Sequence, residues 1–180
     1  MVRVILFGLL VALPAFADDK VPVTFSGGHE TDPRDRGRPV VLIAAALKVP
    51  PETFRAAFTR VHPAHGDGGP TPDQARANKA ALMSVLEPLG VTNDRLDKVS
   101  NHYRYRRDRG EMWPTVEATA YATASNGTVT GFVVTNPGSG YSSPPVVIVQ
   151  GMPDVHAVAE LGFDSDFSKN GVVRAITLAK

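Results

Sequence analysis

The sequence has no cysteine. That excludes a disulfide framework, every thiolate metal site and any cysteine nucleophile. Tryptophan occurs once, at Trp113. Neither sign of charge dominates: 19 Lys+Arg stand against 18 Asp+Glu, a formal net charge of +1. A nucleic-acid binder normally shows a strongly basic face, so no nucleic-acid partner is expected. No apolar run approaches the roughly 20 residues of a spanning helix. No Gly-x-Ser-x-Gly elbow is present, and that turn is what exposes a hydrolase serine. No cofactor motif is present, and no cofactor is expected. Hydrophobic residues make up 43% of the chain, enough for an apolar core without staples.

The first residues have a secretory layout. Arg3 gives a positive start, Val4 to Leu13 is apolar, and Pro14 breaks the run before Ala15-Phe16-Ala17. Small residues at −3 and −1 predict a cut after Ala17, making residues 1–17 a signal peptide. Loss of Arg3 leaves 18 basic against 18 acidic residues. The expected location is secreted or periplasmic, with no transmembrane segment in the processed chain.

Residues 18–38 read as an extended linker, with Val21, Val23 and Phe25 alternating as a short strand. Pro39 opens the apolar segment Val40 to Leu47, and Val49-Pro50-Pro51 stops it. Phe54, Ala57, Phe58 and Val61 share one face of a second helix. Thr71-Pro72-Asp73-Gln74 is a capping-box start for a third, with a stripe of Ala75, Leu82, Val85, Leu86 and Leu89. Thr92 caps a fourth, whose Leu96, Val99 and Tyr103 face inward. Beyond Gly110 the period changes to two. Val116, Ala118, Ala120, Ala122 and Ala124 alternate, Asn126-Gly127 signals a tight hairpin, and Thr128 to Thr135 returns. Further strands are expected at Val146 to Val149, Val155 to Phe163 and Val172 to Leu178, the last at a sheet edge. The expected fold class is α+β: a small helical bundle over 39–110, then an antiparallel β half over 111–180 with a duplicated hairpin unit.

The duplication is visible without gaps. Trp113-Pro114-Thr115-Val116-Glu117-Ala118-Thr119-Ala120 matches Met152-Pro153-Asp154-Val155-His156-Ala157-Val158-Ala159 in its proline, valine and both alanines. Asn126-Gly127 corresponds to Asn170-Gly171, after a longer loop in the second copy. Alanines on one face let another layer approach closely. Between the copies stands Asn136-Pro137-Gly138-Ser139-Gly140-Tyr141-Ser142-Ser143-Pro144-Pro145. The glycines allow a sharp turn and Tyr141 is placed to plug its corner. The stretch Gly127 to Val149 resembles a short β-repeat of bacterial secreted and surface proteins. The resemblance covers about a third of the chain and implies export but no activity. The helical half is similar to the front of exported bacterial proteins, again with no activity attached.

Four clusters could carry chemistry. His29, Glu30 and Asp32 place a base and two acids in one polar loop, followed by Asp35 and Arg36. A small secreted hydrolase would use His29 as general base; the structural alternative is that the loop's Asp and Arg residues pair and cap the first helix. Tyr103, Arg104, Tyr105, Arg106 and Arg107 interleave aromatics with cations, a pattern suited to an anionic glycan or to another envelope protein. Asp164, Asp166 and Asn170 offer alternating oxygens to calcium, though the loop's glycine falls eighth rather than sixth and Lys169 interrupts it. His62 and His65, with Asp67 nearby, have zinc-like spacing in a loop. Asn126-Gly127-Thr128 also fits a glycosylation sequon, but the hairpin turn accounts for it. The basic-aromatic stripe favours a non-enzymatic exported protein that binds or assembles, with the His29 hydrolase as alternative.

Overall fold

The structure is a computed structural model that describes residues 19–62, 69–105 and 110–179. Four helices form the helical half: α1 (Val40–Leu47), α2 (Pro51–Phe58), α3 (Pro72–Leu86) and α4 (Asn93–His102). Six strands form one antiparallel sheet: β1 (Asp19–Ser26), β2 (Thr119–Ser125), β3 (Thr128–Asn136), β4 (Val146–Val149), β5 (Ala157–Gly162) and β6 (Val172–Leu178). The α+β class read from the sequence is the class observed.

Local chemistry sets the helix ends. Thr71 Oγ1 accepts from Gln74 N at 3.2 Å and Thr92 Oγ1 from Arg95 N at 3.2 Å. Each satisfies one of the amides that a helix start leaves unpaired. Pro39 sits one residue before α1 rather than inside it. α1 is apolar all round, and Val40, Leu42, Ile43, Ala44, Ala46 and Leu47 are buried. A helix of that kind has to be surrounded, and α2 and α4 both pack on it. On α3 the covered side is set by Met83 and Leu86, with Leu82 and Val85 half buried. Ala75 and Leu89, placed on that stripe by sequence, are exposed.

The sheet order is β3-β2-β1-β4-β5-β6. It amounts to two three-stranded meanders, β1-β2-β3 and β4-β5-β6, joined where β1 pairs with β4. The register there runs Thr24↔Ile148, Phe25↔Val147, Ser26↔Val146. An approximate two-fold through Phe25↔Val147 therefore exchanges the meanders, and it superposes β2 on β5, the segments matched in the sequence. In the second meander residues 150–156 join the first two strands; in the first, residues 27–118 intervene and carry all four helices. Within the stretch 18–38, the short strand expected at Val21, Val23 and Phe25 is present as β1. Residues 19–26 are an inner strand of the sheet, because both faces of their backbone ladder find partners, on β2 and on β4. Pro22 is tolerated at this inner position because its carbonyl, and hence its ring nitrogen, faces the end of β4, where Gln150 N donates to Pro22 O at 3.0 Å.

The sheet curls until β3 approaches β6, and Val173 N donates to Pro137 O at 2.8 Å across that seam. The edge expected at the last strand is partly covered in this way. Small inward side chains permit the curl. Ala118, Ala122, Ala124 and Ala159 are buried, and Ala118, Ala122 and Ala159 belong to a core with Val23, Val129, Val147, Val149, Val173 and Ile176. A separate core fills the helical half and includes Trp113.

The two copies of Asn-Gly have diverged. Asn126 (φ 50°) and Gly127 (φ 75°) form the tight hairpin turn that the sequence predicts. Asn170 is extended (φ −100°) and fully buried. Its Nδ2 donates to Leu42 O and Tyr103 Oη, both at 2.8 Å, and its Oδ1 accepts from Asp164 N at 3.3 Å. Phe167 of the same loop lies against the helical core between Arg95 and His102. The extra residues of the second hairpin therefore clasp the helical half to the sheet.

Candidate functional site

The loop after β1 divides into two structural tasks. Its first part locks onto the glycine-rich turn. Ser142 N and Ser143 N donate to Gly28 O at 2.9 and 3.1 Å. His29 stacks on Tyr141, with ring centroids 5.1 Å apart, and its Nδ1 lies 3.3 Å from Gly140 O. Trp113 Nε1 donates to the same carbonyl at 2.8 Å. Tyr141 does plug the corner: it is 2% exposed and its hydroxyl accepts from Ala118 N at 3.0 Å. Glu30 accepts from Ser143 Oγ and from Gly28 N. The Ser143 hydrogen bond, ahead of the backbone ones, lowers the Glu30 pKa from its ordinary value.

The second part turns outward. Asp32 caps a 3-10 turn over Pro33–Asp35 by accepting from Arg34 N at 2.9 Å. Arg36 (φ 53°) and Gly37 (φ 87°) then reverse the chain, and a side chain at Gly37 would collide with the Tyr105 ring. The reversal brings Arg34, Arg36 and Arg38 beside α2, which supplies Glu52 and Arg55. Together with Asp35, Phe58 and Val61 they line a cleft of about 600 Å³.

Charge within the cleft is unevenly matched. Arg55 grips the buried Asp35 carboxylate through Nε and Nη2, both at 2.7 Å, and Glu52 through Nη1 at 2.6 Å. Its pKa is raised, chiefly by the Asp35 hydrogen bonds. Arg34 holds Asp32 by Nε and Nη2 at 3.1 and 2.7 Å. That hydrogen bonding lowers Asp32 to about 2. Arg38 is different. Its guanidinium carbon sits 3.9 Å from the Phe58 ring centroid, and Nη1 donates to the Asp35 backbone carbonyl at 3.0 Å. Burial, then the neighbouring Arg36, lowers its pKa. Among the described residues neither Arg36 nor Arg38 has a carboxylate within salt-bridge distance.

The candidates read from sequence are dispersed. His29, Glu30 and Asp32 do not converge: each turns to a different partner, Gly140, Ser143 and Arg34. The local reading fares better, since Asp32 pairs with Arg34, although it caps the 3-10 turn and not α1. In the basic-aromatic stripe the tyrosines pack into the protein, and Tyr103 faces inward as its helical spacing predicts. Tyr103 is 3% exposed and bonded to Asn170, and Tyr105 meets Trp113 edge-on and backs Gly37. Arg104 is exposed and donates to Asn101; Arg106 and Arg107 lie outside the described residues. Asp164 and Asp166 accept from backbone amides two residues on, at 2.8 and 3.0 Å. With Asn170 buried, the three do not face a common point. Among the described residues no group of three or more His, Asp or Glu could hold a metal ion. His62 is fixed by its backbone to the Asn78 side chain; His65 and Asp67 lie outside the described residues.

Sequence reasoning missed the cleft. Its signal was the alternation Arg34-x-Arg36-x-Arg38, which reads as surface polarity until Phe58 and Arg55 are placed beside it. No protein-family model matches the chain, no curated protein matches it, and no solved structure matches it.

Proposed function

We propose that the protein is an exported, non-catalytic binding protein of the cell envelope or exterior, and that it takes an anionic ligand into the arginine cleft. The observation that carries the reading is the contrast inside that cleft. Arg34 and Arg55 are neutralised by Asp32, Asp35 and Glu52, whereas Arg36 and Arg38 open on the cleft beside an aromatic ring. Arg38 is half buried and Arg36 is exposed beside it; the two cations repel each other, and an anion relieves that repulsion. Export is supported by Arg3, the apolar run Val4 to Leu13 and the Ala15-Phe16-Ala17 exit. The non-catalytic part is supported by the separate commitments of His29, Glu30 and Asp32. An anionic glycan is the partner class that fits both an exterior location and a cationic cleft with apolar walls.

The test is calorimetric titration of the full chain with acidic polysaccharides at low and physiological salt. The wild type binds and loses affinity with salt. The double variant Arg36→Ala/Arg38→Ala keeps its circular dichroism and melting temperature but binds at least about tenfold more weakly. Absence of binding by the wild type, or equal binding by the variant, refutes the reading. Mass spectrometry of the protein recovered from an export-competent host addresses location separately: the expected mature chain starts at Asp18, and a retained Met1 counts against export.

A further inference from the structure

Four guanidinium groups and two carboxylates line this cleft, and Asp32, paired to Arg34 and Arg55 from outside the lining, makes three acids, which leaves one unit of positive charge. Two of the guanidiniums already show how they are used. Arg34 and Arg55 each present the parallel Nε and Nη2 donors of one side edge to the two oxygens of a carboxylate. Arg38 lines the cleft with the same edge unused. Phe58 supports one face of its guanidinium, and Nη1 is held by Asp35 O. Its Nε and Nη2 donate to no described residue and are fixed in direction by the other two contacts. An arginine edge pinned in this way matches two coplanar oxygens.

We propose that the cleft selects a carboxylated sugar chain, a uronic-acid polysaccharide, with Arg38 reading the carboxylate through its Nε–Nη2 edge and Arg36 as the second cation. This rests on the anion-binding reading above and narrows it. A single carboxylate balances the excess charge. A phosphate monoester brings a second negative charge beside Asp35 and Glu52, and like charges there are destabilising. The apolar wall of Val40, Phe58 and Val61 faces the same space and suits the hydrogen-bearing face of a sugar ring, as aromatic and aliphatic walls do in other small-ligand clefts.

The experiment titrates the full chain with four probes: a short oligogalacturonide, the same oligomer methyl-esterified, a sulfated dextran oligomer and inorganic polyphosphate. The acid oligogalacturonide binds best, and esterification weakens it at least about tenfold. Arg38→Lys keeps the charge and loses the fork, so it removes the preference for uronate over sulfate. Arg36→Ala weakens every acidic probe. Sulfated dextran or polyphosphate binding as tightly as the uronate overturns this inference while leaving an anion-binding cleft intact, and so does an unaltered preference in Arg38→Lys. Failure of all acidic probes, or binding indifferent to Arg36 and Arg38, removes the functional reading as well.

Discussion

Replacing Asn170 by alanine tests the clasp between sheet and helices. The amide makes three hydrogen bonds, two of them at 2.8 Å, from a site with no solvent exposure. Each bond contributes about 1 kcal/mol net, and a buried polar group left without a partner costs about 1–3 kcal/mol more. Leu42 O keeps its partner inside α1, so the group orphaned by the change is the Tyr103 hydroxyl. The sum is about 4–6 kcal/mol, a large share of the roughly 5–15 kcal/mol that holds a domain together. Tyr103→Phe removes one bond and should cost about 1–2 kcal/mol. Combining the two removes the orphaned hydroxyl and counts the shared bond once, so the double variant should lose about 2–4 kcal/mol less than the sum of the singles. Urea unfolding followed by circular dichroism measures all three, with Trp113 fluorescence reporting the helical core separately. A loss below about 1 kcal/mol for Asn170→Ala, or strict additivity in the double variant, refutes the clasp.

Three further outcomes are expected. Arg55→Ala strands the Asp35 carboxylate, 4% exposed, and should destabilise by about 3–5 kcal/mol in urea titration; a loss near zero means Asp35 finds water or another partner. Gly171→Ala should be far more damaging than Gly127→Ala. A methyl at Gly171 lies 2.3 Å from Tyr141 O and at Gly127 it meets nothing, so the second change pays only for its left-handed backbone, about 1–2 kcal/mol. The folded pKa of Asp32 is about 2 against an ordinary 3.8, so its stabilising contribution is full above pH 3.8 and disappears as pH falls through about 2. Asp32→Asn should flatten that part of the acid-melting profile, and an unchanged profile counts against the Arg34 contact.

What the sequence disclosed was local. Thr71 and Thr92 announce their helices because a capping hydroxyl acts within three residues, and Asn126-Gly127 announces its hairpin because positive φ is an intrinsic preference. What it hid was long-range. Nothing near Val21 or Val23 says that the strand lies between β2 and β4, since those pairings depend on chain returning from far away. Tyr103 was legible from its spacing to Leu96 and Val99, whereas Tyr105 alternates with arginines like a binding stripe and turns onto Trp113 and Gly37, which come from other parts of the chain. Asn170 reads as a turn residue, because its partners at Leu42 and Tyr103 belong to another part of the chain. The cleft was hidden for the same reason: Arg34, Arg36 and Arg38 are close in sequence, but Phe58, which supports Arg38, and Arg55, which holds Asp35, arrive only with α2.

The placement of β1 has a consequence for how the chain must be made. Its partners are Thr119–Ser125 and Val146–Val149, so β1 is made about a hundred residues before either partner. At ordinary synthesis rates that interval is on the order of ten seconds, during which an unpaired strand is open to foreign edges. Its composition answers the exposure. Asp19, Lys20 and Pro22 all oppose intermolecular pairing, and Val21, Val23 and Phe25 are held apart by polar or imino neighbours. The same residues that make β1 a weak strand in isolation keep it available, first for β2 and then for the β4 pairing that joins the two meanders.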